Sequence, residues 1–588
     1  MIIKFHKVKK LLLLFLLQLF FSCEKQNEAN ILIIITDDQG WGDLSVNGNT
    51  NLKTPNIDNI SFNGASFERF YVSPVCAPTR AELLSGKYFI RSGVNGVTKG
   101  YERMNYDVKL ISEYYKNKNY ATGAFGKWHN GSQPPYHPNF RGFDEFFGFT
   151  SGHWGNYFDP ILEKNGKIIK TKGYINDVIT NEAISFIKNT EKPFLSVISY
   201  NTPHSPMQVP EKYFTEKKVS LRGRYSKREN IEKTKAALGM IENIDENIGN
   251  VISMLKTKDV YENTIIIFLS DNGPNGNRWN NELKDRKGST NEGGVRVPFF
   301  IQWPKKIKKG LKINQVSSVL DIFPTLIDLT DNEKINGFDG ISLKKFINNP
   351  QAKDDDRTIF SYWNNKISAR NNNYILDHEN KLYDLINDVS QYYPIQEIKK
   401  PEFQKLLNHK TQWLNQVVNP YKEKLKRRPF TVNFKNAEYT HLPARDAEIN
   451  GDLKRSSVHA NCSFIGNWKS SDDYIYWDID VLENGTNSVE LYYTLAKESV
   501  GTEIALVYED QIIKKTIDDF HDPILVGYEQ DKIKRIESYT KDFKKIKIGE
   551  MSFKKGISRL KLKTTGIKGN KSIDFRLLIL KNKNEENS

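Results

Sequence analysis

Two stretches of the chain are apolar at nearly every position and rich in isoleucine: Ile31–Thr36 (ILIIIT) and Thr264–Ser270 (TIIIFLS). They do not alternate with polar residues, so each is read as a strand buried on both faces, the pattern of a parallel sheet covered by helices above and below. Phe194–Tyr200 (FLSVISY) and Val297–Trp303 have the same texture. Between them Ile241, Ile244, Ile248, Val251 and Leu255 recur at three- and four-residue spacing, one face of a helix. The expected fold over residues 30–345 is therefore α/β, a large mostly parallel central sheet with helices on both faces. The pattern fades near residue 345. Short strand-like pieces (Tyr374–Leu376, Leu382–Leu385) and a helix-like stretch ending near Tyr421 predict a small α+β subdomain over 346–425. The basic run Lys422–Arg428 (KEKLKRR) reads as a linker. After it the period changes to two: Ile475, Trp477, Ile479 and Val481 face one way, Tyr474, Tyr476, Asp478 and Asp480 the other. Several such strands with Gly, Asn and Asp turns predict an appended β-sandwich over 430–588.

The N-terminus carries Lys4, Lys7, Lys9 and Lys10, then LLLLFLLQLFF, then Ser22-Cys23. The run Leu11–Phe21 is too short to span a bilayer, so it reads as a secretory signal over 1–22. A Cys directly after a small residue resembles the bacterial lipoprotein signal, with lipid attached to Cys23 and Glu24–Asn30 as a tether. An ordinary cleaved signal with an incidental Cys is the alternative. Either reading exports the protein, to the periplasm or the cell surface. Three cysteines (Cys23, Cys76, Cys462) are too few for a disulfide framework or a Cys-based zinc cluster. The charge balance, 86 − 71 = +15, favours an anionic partner such as nucleic acid, anionic lipid or an acidic polysaccharide, but lysines spent on solvated faces explain it better, and no nucleic-acid partner is expected.

The two buried strands end in side chains suited to a hard cation: Asp37-Asp38 after the first, Asp271-Asn272 after the second. Ligands of open α/β sheets sit beyond the carboxyl ends of the strands, where both pairs fall. One such pair alone would be read as a cap or turn; two on two apolar strands predict a shared site, and oxygen donors favour Ca²⁺ or Mg²⁺ over zinc. Cys76-Ala77-Pro78-Thr79-Arg80 precedes a helix-like AELLSGK, and Pro78 fits the first helical turn. Residue 76 is thus set at a helix N-terminus, read either as a low-pKa thiolate or as a buried structural Cys.

CAPTR resembles the C-x-P-x-R signature of the formylglycine-dependent (type I) sulfatases of the alkaline-phosphatase superfamily. Over residues 30–420 the resemblance continues, in the family's order, through ITDDQGWGD, TPNIDNI, AFGKWHNG, GFDEFFGF, NTPHSP, SDNGP, RKGSTNEGGVRVP, DIFPTL and KLYDL. Ser85-Gly86-Lys87 departs from it, standing where the family has Gly-Arg. The resemblance implies that Cys76 is oxidised to formylglycine by a maturation enzyme, and that Asp37, Asp38, Asp271 and Asn272 hold one Ca²⁺, in preference to Mg²⁺, with residue 76 completing the shell. It implies that the metal and Arg80 favour an ionised hydroxyl of the hydrated aldehyde, which attacks sulfur, while Lys127 and Lys287 meet the sulfate charge. His204 is the implied acid for the leaving alcohol, and His129 the base that helps expel sulfate.

His153, Trp154, Arg278 and Trp279 flank matched segments and are candidate substrate-pocket residues, with the aromatics for sugar rings and Arg278 for a second anion; core or loop packing is the competing reading. Glu292 is read as structural. His137, His378, His409, His441, His459 and His521 match no motif. In the sandwich, Trp468, Tyr474, Tyr476 and Tyr492 suggest a carbohydrate-binding surface, against a plain packing domain, and Cys462 a buried hydrophobe. On this reading residues 430–588 can be deleted without loss of turnover on a small substrate. The sequence reading is a sulfatase acting on sulfated polysaccharide or oligosaccharide, with ulvan, carrageenan or glycosaminoglycans as candidates. Its rivals are a phosphomonoester or phosphonate hydrolase of the same superfamily, and a non-catalytic glycan-binding lipoprotein should Cys76 stay unoxidised.

Overall fold

The computed structural model describes residues 28–332, 336–422 and 426–583. The signal segment and Cys23 lie outside them, as do 423–425 of the basic run. Among the described residues no helix is long and apolar enough to cross a membrane.

Five strands form the parallel centre of a ten-stranded sheet, in the order Thr264–Ser270, Asn30–Thr36, Phe194–Ser199, Ala121–Lys127, Glu145–Phe149. Phe299–Gln302 extends it antiparallel on one side, and the hairpin Ile161–Lys164/Lys167–Lys170 closes the other. The unbroken apolar run of Asn30–Thr36 is explained by what covers it. Ile31, Ile33 and Ile35 pack with Ala77, Ala81, Leu83 and Leu84 of the helix Cys76–Ser85 and with Ile322, Phe323 and Leu326 of Ile322–Thr330. Leu32 and Ile34, pointing the other way, pack with Ile175, Ile179 and Ala183 of Ile175–Asn189 and with Ile241, Ile244 and Ile248 of Ile231–Thr257. Alternate side chains therefore serve opposite cores, and a polar residue on either would face oil.

A four-stranded antiparallel sheet (Ile359–Trp363, Lys366–Arg370, Tyr374–Leu376, Leu382–Asp384) follows, packed on the helix Lys400–Trp413. Beyond it lie two six-stranded sheets. Tyr474–Val481 pairs antiparallel with Gly556–Gly566, burying Ile475, Trp477, Ile479 and Val481 while Tyr474, Tyr476, Asp478 and Asp480 stay outward. The basic run is not a free tether. Arg427 bonds Asp446 O at 2.6 Å, Arg428 bonds Asn105 Oδ1 at 2.7 Å, and Arg103 reaches back to Pro429 O at 2.8 Å.

The proposed sugar-binding aromatics need correction. Trp468 is fully buried in the sandwich core, its Nε1 donating to Asp473 O at 3.1 Å. Tyr474 and Tyr476 face outward, but Lys561 and Arg559 lie over their rings. Cys462 is buried as expected, its thiol donating to His153 O at 2.7 Å.

Candidate active site

The ends of the two central strands meet because the strands are neighbours in register, Thr36 opposite Ser270. The next backbone steps lock them: Asp271 N donates to Thr36 O (3.0 Å) and Asp38 N to Asp271 Oδ1 (3.2 Å). Asp38 takes φ +66°, a left-handed conformation that a non-glycine residue adopts at a cost of about 1–3 kcal/mol and that clusters at functional sites. Asp37, Asp38, Asp271 and Asn272 are all fully buried.

Each acid divides its two oxygens between different tasks. Asp37 Oδ2 takes Lys127 Nζ at 2.6 Å, Asp38 Oδ1 takes Lys287 Nζ at 2.5 Å, and Asp271 Oδ2 takes Arg80 Nη2 at 2.8 Å and Nε at 3.1 Å. Asp37 Oδ1 and Asp38 Oδ2, together with Asn272 Oδ1, are buried without a hydrogen-bond partner. Three acids balanced by three cations can share a dry site, and the oxygens left over are hard donors. Among the described residues, ligand atoms of Asp37, Cys76 and Asp271 lie within 4.8 Å of one another, as do those of Asp37, Asp38 and His204.

Burial and neighbours set the protonation of this cluster. Burial pushes the Asp271 carboxyl up to about 6, with Asp37 adding to it and Arg80 opposing. For Asp38 burial also acts upward, but Lys287 and His204 outweigh it and hold the carboxyl below its ordinary range. Cys76 opens the helix Cys76–Ser85 and is 4% exposed. Burial raises its thiol despite Lys127 and Lys287, which removes the low-pKa thiolate reading.

Arg80, one turn further along the same helix, also donates to Lys127 O at 2.9 Å and to Ser199 Oγ, joining the Cys76 helix to two strand ends. His204 Nδ1 donates to Ser205 O (2.7 Å), and its Nε2 lies 3.7 Å from Asp38 Oδ2. Burial lowers its pKa against the pull of Asp38. His153 stacks on it at 5.7 Å between centroids. His129 sits at φ +65° with Nε2 on Val97 O (2.8 Å) and Nδ1 unpartnered. Burial, then Lys127, keeps it far below the ordinary histidine range.

Three of the pocket residues expected from sequence are otherwise engaged. Arg278, 4% exposed, is committed to Asp43 (Nε to Oδ2, 2.8 Å) and to Asp38 O (2.6 Å); it props the strand-end loop rather than offering a free cation. Trp279 has Arg222 stacked 3.8 Å from its ring centre. Trp154 stacks on Phe149 and lines a cavity of about 400 Å³ at the seam with the sandwich, beside Tyr492 and Arg576. Glu292 is buried, accepting from Tyr71 Oη at 3.0 Å and lying 3.2 Å from Arg370. Sequence reasoning missed Ser205 and Glu537, whose hydroxyl and carboxylate bond beside His204. NTPHSP pointed at the first of these, and nothing in the spacing pointed at the second.

The doubly wound sheet, the acid cluster beyond its strand ends and the helix start aimed at it define a class: an α/β enzyme whose site handles an anionic ester. Residues 29–332 match the sulfatase family, and 285–429 match the C-terminal region of N-sulphoglucosamine sulphohydrolase. The chain is 31% identical to N-acetylgalactosamine-6-sulfatase of Mus musculus over 385 residues, 58% of this chain and 70% of that protein; the Homo sapiens protein is 30% identical over 384 residues, 58% and 69%. The crystal structure of Ps i-CgsB in complex with k-i-k-neocarrahexaose superposes with a TM-score of 0.61 at 31% identity, covering 66% of this chain and 92% of that one. The chain belongs to the sulfatase family and is a sulfuric ester hydrolase.

Proposed function

We propose that the protein cleaves sulfate esters on sulfated oligosaccharides or polysaccharides, using formylglycine made from Cys76 and one Ca²⁺. The observation that carries the reading is the division of Asp37 and Asp38 each into a neutralised oxygen and an unpartnered one, beside the unpartnered Asn272 Oδ1. Asp37 Oδ1, Asp38 Oδ2 and Asn272 Oδ1 are buried, unpartnered hard donors, and with the Asp271 carboxylate they fit a hard divalent cation better than a soft one. These four residues would hold it. When bound, the ion supplies Lewis-acid polarisation of the sulfate oxygens. Formylglycine supplies, when hydrated, two hydroxyls on one carbon in place of a single thiol.

The remaining work falls to side chains of this chain. Lys127 and Lys287 fix Asp37 and Asp38 and set two positive charges beside the reacting group, a preorganised clamp for anionic oxygens. Arg80 holds Asp271 against the Cys76 helix. With Nδ1 tied to the Ser205 carbonyl, His204 presents Nε2 for the proton that the leaving alcohol takes. His129, with Nε2 on Val97 O, keeps Nδ1 free to hold a proton on the other side. Burial of the whole cluster keeps water from competing.

Sulfated saccharides as substrate are supported by the names of the relatives, one acting on an N-acetylgalactosamine sulfate and one crystallised with a carrageenan oligosaccharide. The basic, apolar N-terminal segment ending at Cys23 supports export with a lipid anchor. The test is mass spectrometry of the residue-76 peptide from protein made with a maturation enzyme, alongside sulfate release from defined sulfated oligosaccharides. A loss of about 18 Da from cysteine with sulfate release is expected. An unmodified thiol with undiminished release would discard formylglycine, and faster release of phosphate than of sulfate would discard the substrate class.

A further inference from the structure

The β-sandwich reaches the active site itself. Its strands Gln511–Ile517 and Lys544–Phe553 belong to different sheets, and the segment 518–543 between them crosses onto the catalytic region. There it lies along the NTPHSPMQ loop. Lys532 N donates to Met207 O (2.9 Å), Asp531 forms a bridge with Gln208, and Gln208 Nε2 donates to Gly527 O (2.5 Å) and Asp531 Oδ1 (3.0 Å). Arg535 holds this strap in shape through Asp531 (2.7 Å) and bonds Gly155 O. A second sandwich loop locks to the strap, Ser457 Oγ to Ile536 O at 3.0 Å and Ser456 Oγ to Ser538 Oγ at 2.6 Å. Residues 430–588 thus touch the active-site loop, a contact that their spacing did not imply.

The strap ends on one residue of chemical interest. Glu537 accepts a hydrogen bond from Ser205 Oγ, 332 residues away. Ser205 is also the residue whose carbonyl fixes the His204 ring at Nδ1, and Tyr157 Oη donates to that carbonyl (3.0 Å) and to His204 O (3.0 Å). Tyr157 thus grips the main chain at 204–205 and Glu537 grips the side chain. With either missing, the Ser205 carbonyl is free to rotate and the imidazole with it, and an acid a fraction of an ångström out of line transfers its proton poorly.

We propose that Glu537 is a positioning residue for the leaving-group acid, acting through Ser205 to aim His204. The inference rests on the reading of His204 as that acid. Its signature is dependence on the leaving group. A sugar alcohol leaves only with a proton, whereas 4-nitrophenolate leaves without one.

Glu537→Ala should lower kcat for a sulfated saccharide roughly tenfold, part of the ~10²–10⁴ that a well-placed acid contributes, while 4-nitrophenyl sulfate loses no more than about twofold. Glu537→Gln, whose amide oxygen still accepts from Ser205, should restore most of the saccharide rate. Ser205→Ala should match Glu537→Ala, and the double variant should be no worse than either. Equal losses on both substrates in Glu537→Ala, or failure of Glu537→Gln to rescue, would overturn the proposal. His204→Asn separates the two readings. If it discriminates between the substrates and Glu537→Ala does not, only the positioning role falls; if it slows both alike, the acid role of His204 falls first.

Discussion

Lys127→Met tests the balance of the acid cluster most directly. Lys127 Nζ lies 2.6 Å from Asp37 Oδ2, and both side chains are wholly shielded from solvent. Methionine is close in volume, so the change removes charge without opening a cavity. It leaves a buried carboxylate unpaired, which costs about 3–5 kcal/mol when one partner of a buried pair is lost. That loss should appear in full in chelator, where nothing replaces the ammonium. At saturating Ca²⁺ it should shrink, because a divalent ion held by Asp37 would supply the missing charge. By linkage the variant should then bind Ca²⁺ more tightly, by at least about tenfold or 1.4 kcal/mol. Urea unfolding followed by tryptophan fluorescence, with and without Ca²⁺, measures the first quantity, and titration calorimetry the second. A loss under about 0.5 kcal/mol in chelator, the size of an ordinary surface change, would show that Lys127 does not compensate Asp37. An identical loss with and without Ca²⁺ would show that no cation sits at Asp37.

Because every acid keeps its own cation, chelation should abolish sulfate release yet leave the fold intact, with activity returning on Ca²⁺ addition; irreversible unfolding in chelator would contradict this. Glu82, on the Cys76 helix, is buried and its carboxyl is raised to about 8 in the fold, chiefly by burial and against bonds from Ser73 Oγ and Phe89 N. A carboxyl raised on folding contributes stability that is present in full below its unfolded value of 4.5 and is lost as pH rises through 8. Glu82→Gln should flatten the fall in stability between pH 5 and about 8, and an unchanged slope in pH-dependent urea midpoints would rule it out.

What the sequence disclosed follows from what the residues must satisfy. Ile31–Thr36 could only be a two-sided strand, since both its faces meet apolar helices. Tyr474–Val481 alternates because one face meets a core and the other water. Beyond those limits spacing was silent. Trp468 precedes an aperiodic stretch, so nothing marked it as core. Arg278 is neutralised by Asp43, 235 positions earlier, and Ser205 donates a hydrogen bond to Glu537, 332 later. The strap 518–543 has no period because its backbone bonds are scattered, Lys532 N to Met207 O, His521 with Leu495, and Val526 N to Thr540 O within the strap itself, with no regular neighbour. Pairings of that kind arise from the tertiary path and leave no local trace.

The evenly matched acids and bases at the strand ends also bear on how a catalytic cycle would finish. With Asp37, Asp38 and Asp271 already offset by Lys127, Lys287 and Arg80, a bound divalent ion leaves the pocket with an excess of two. A sulfate monoester carries one negative charge into it, whereas the freed inorganic dianion carries two and cancels the excess entirely. Against these side chains alone the dianion would be held harder than the monoester, a difference that an ionised hydroxyl at residue 76 would offset before cleavage.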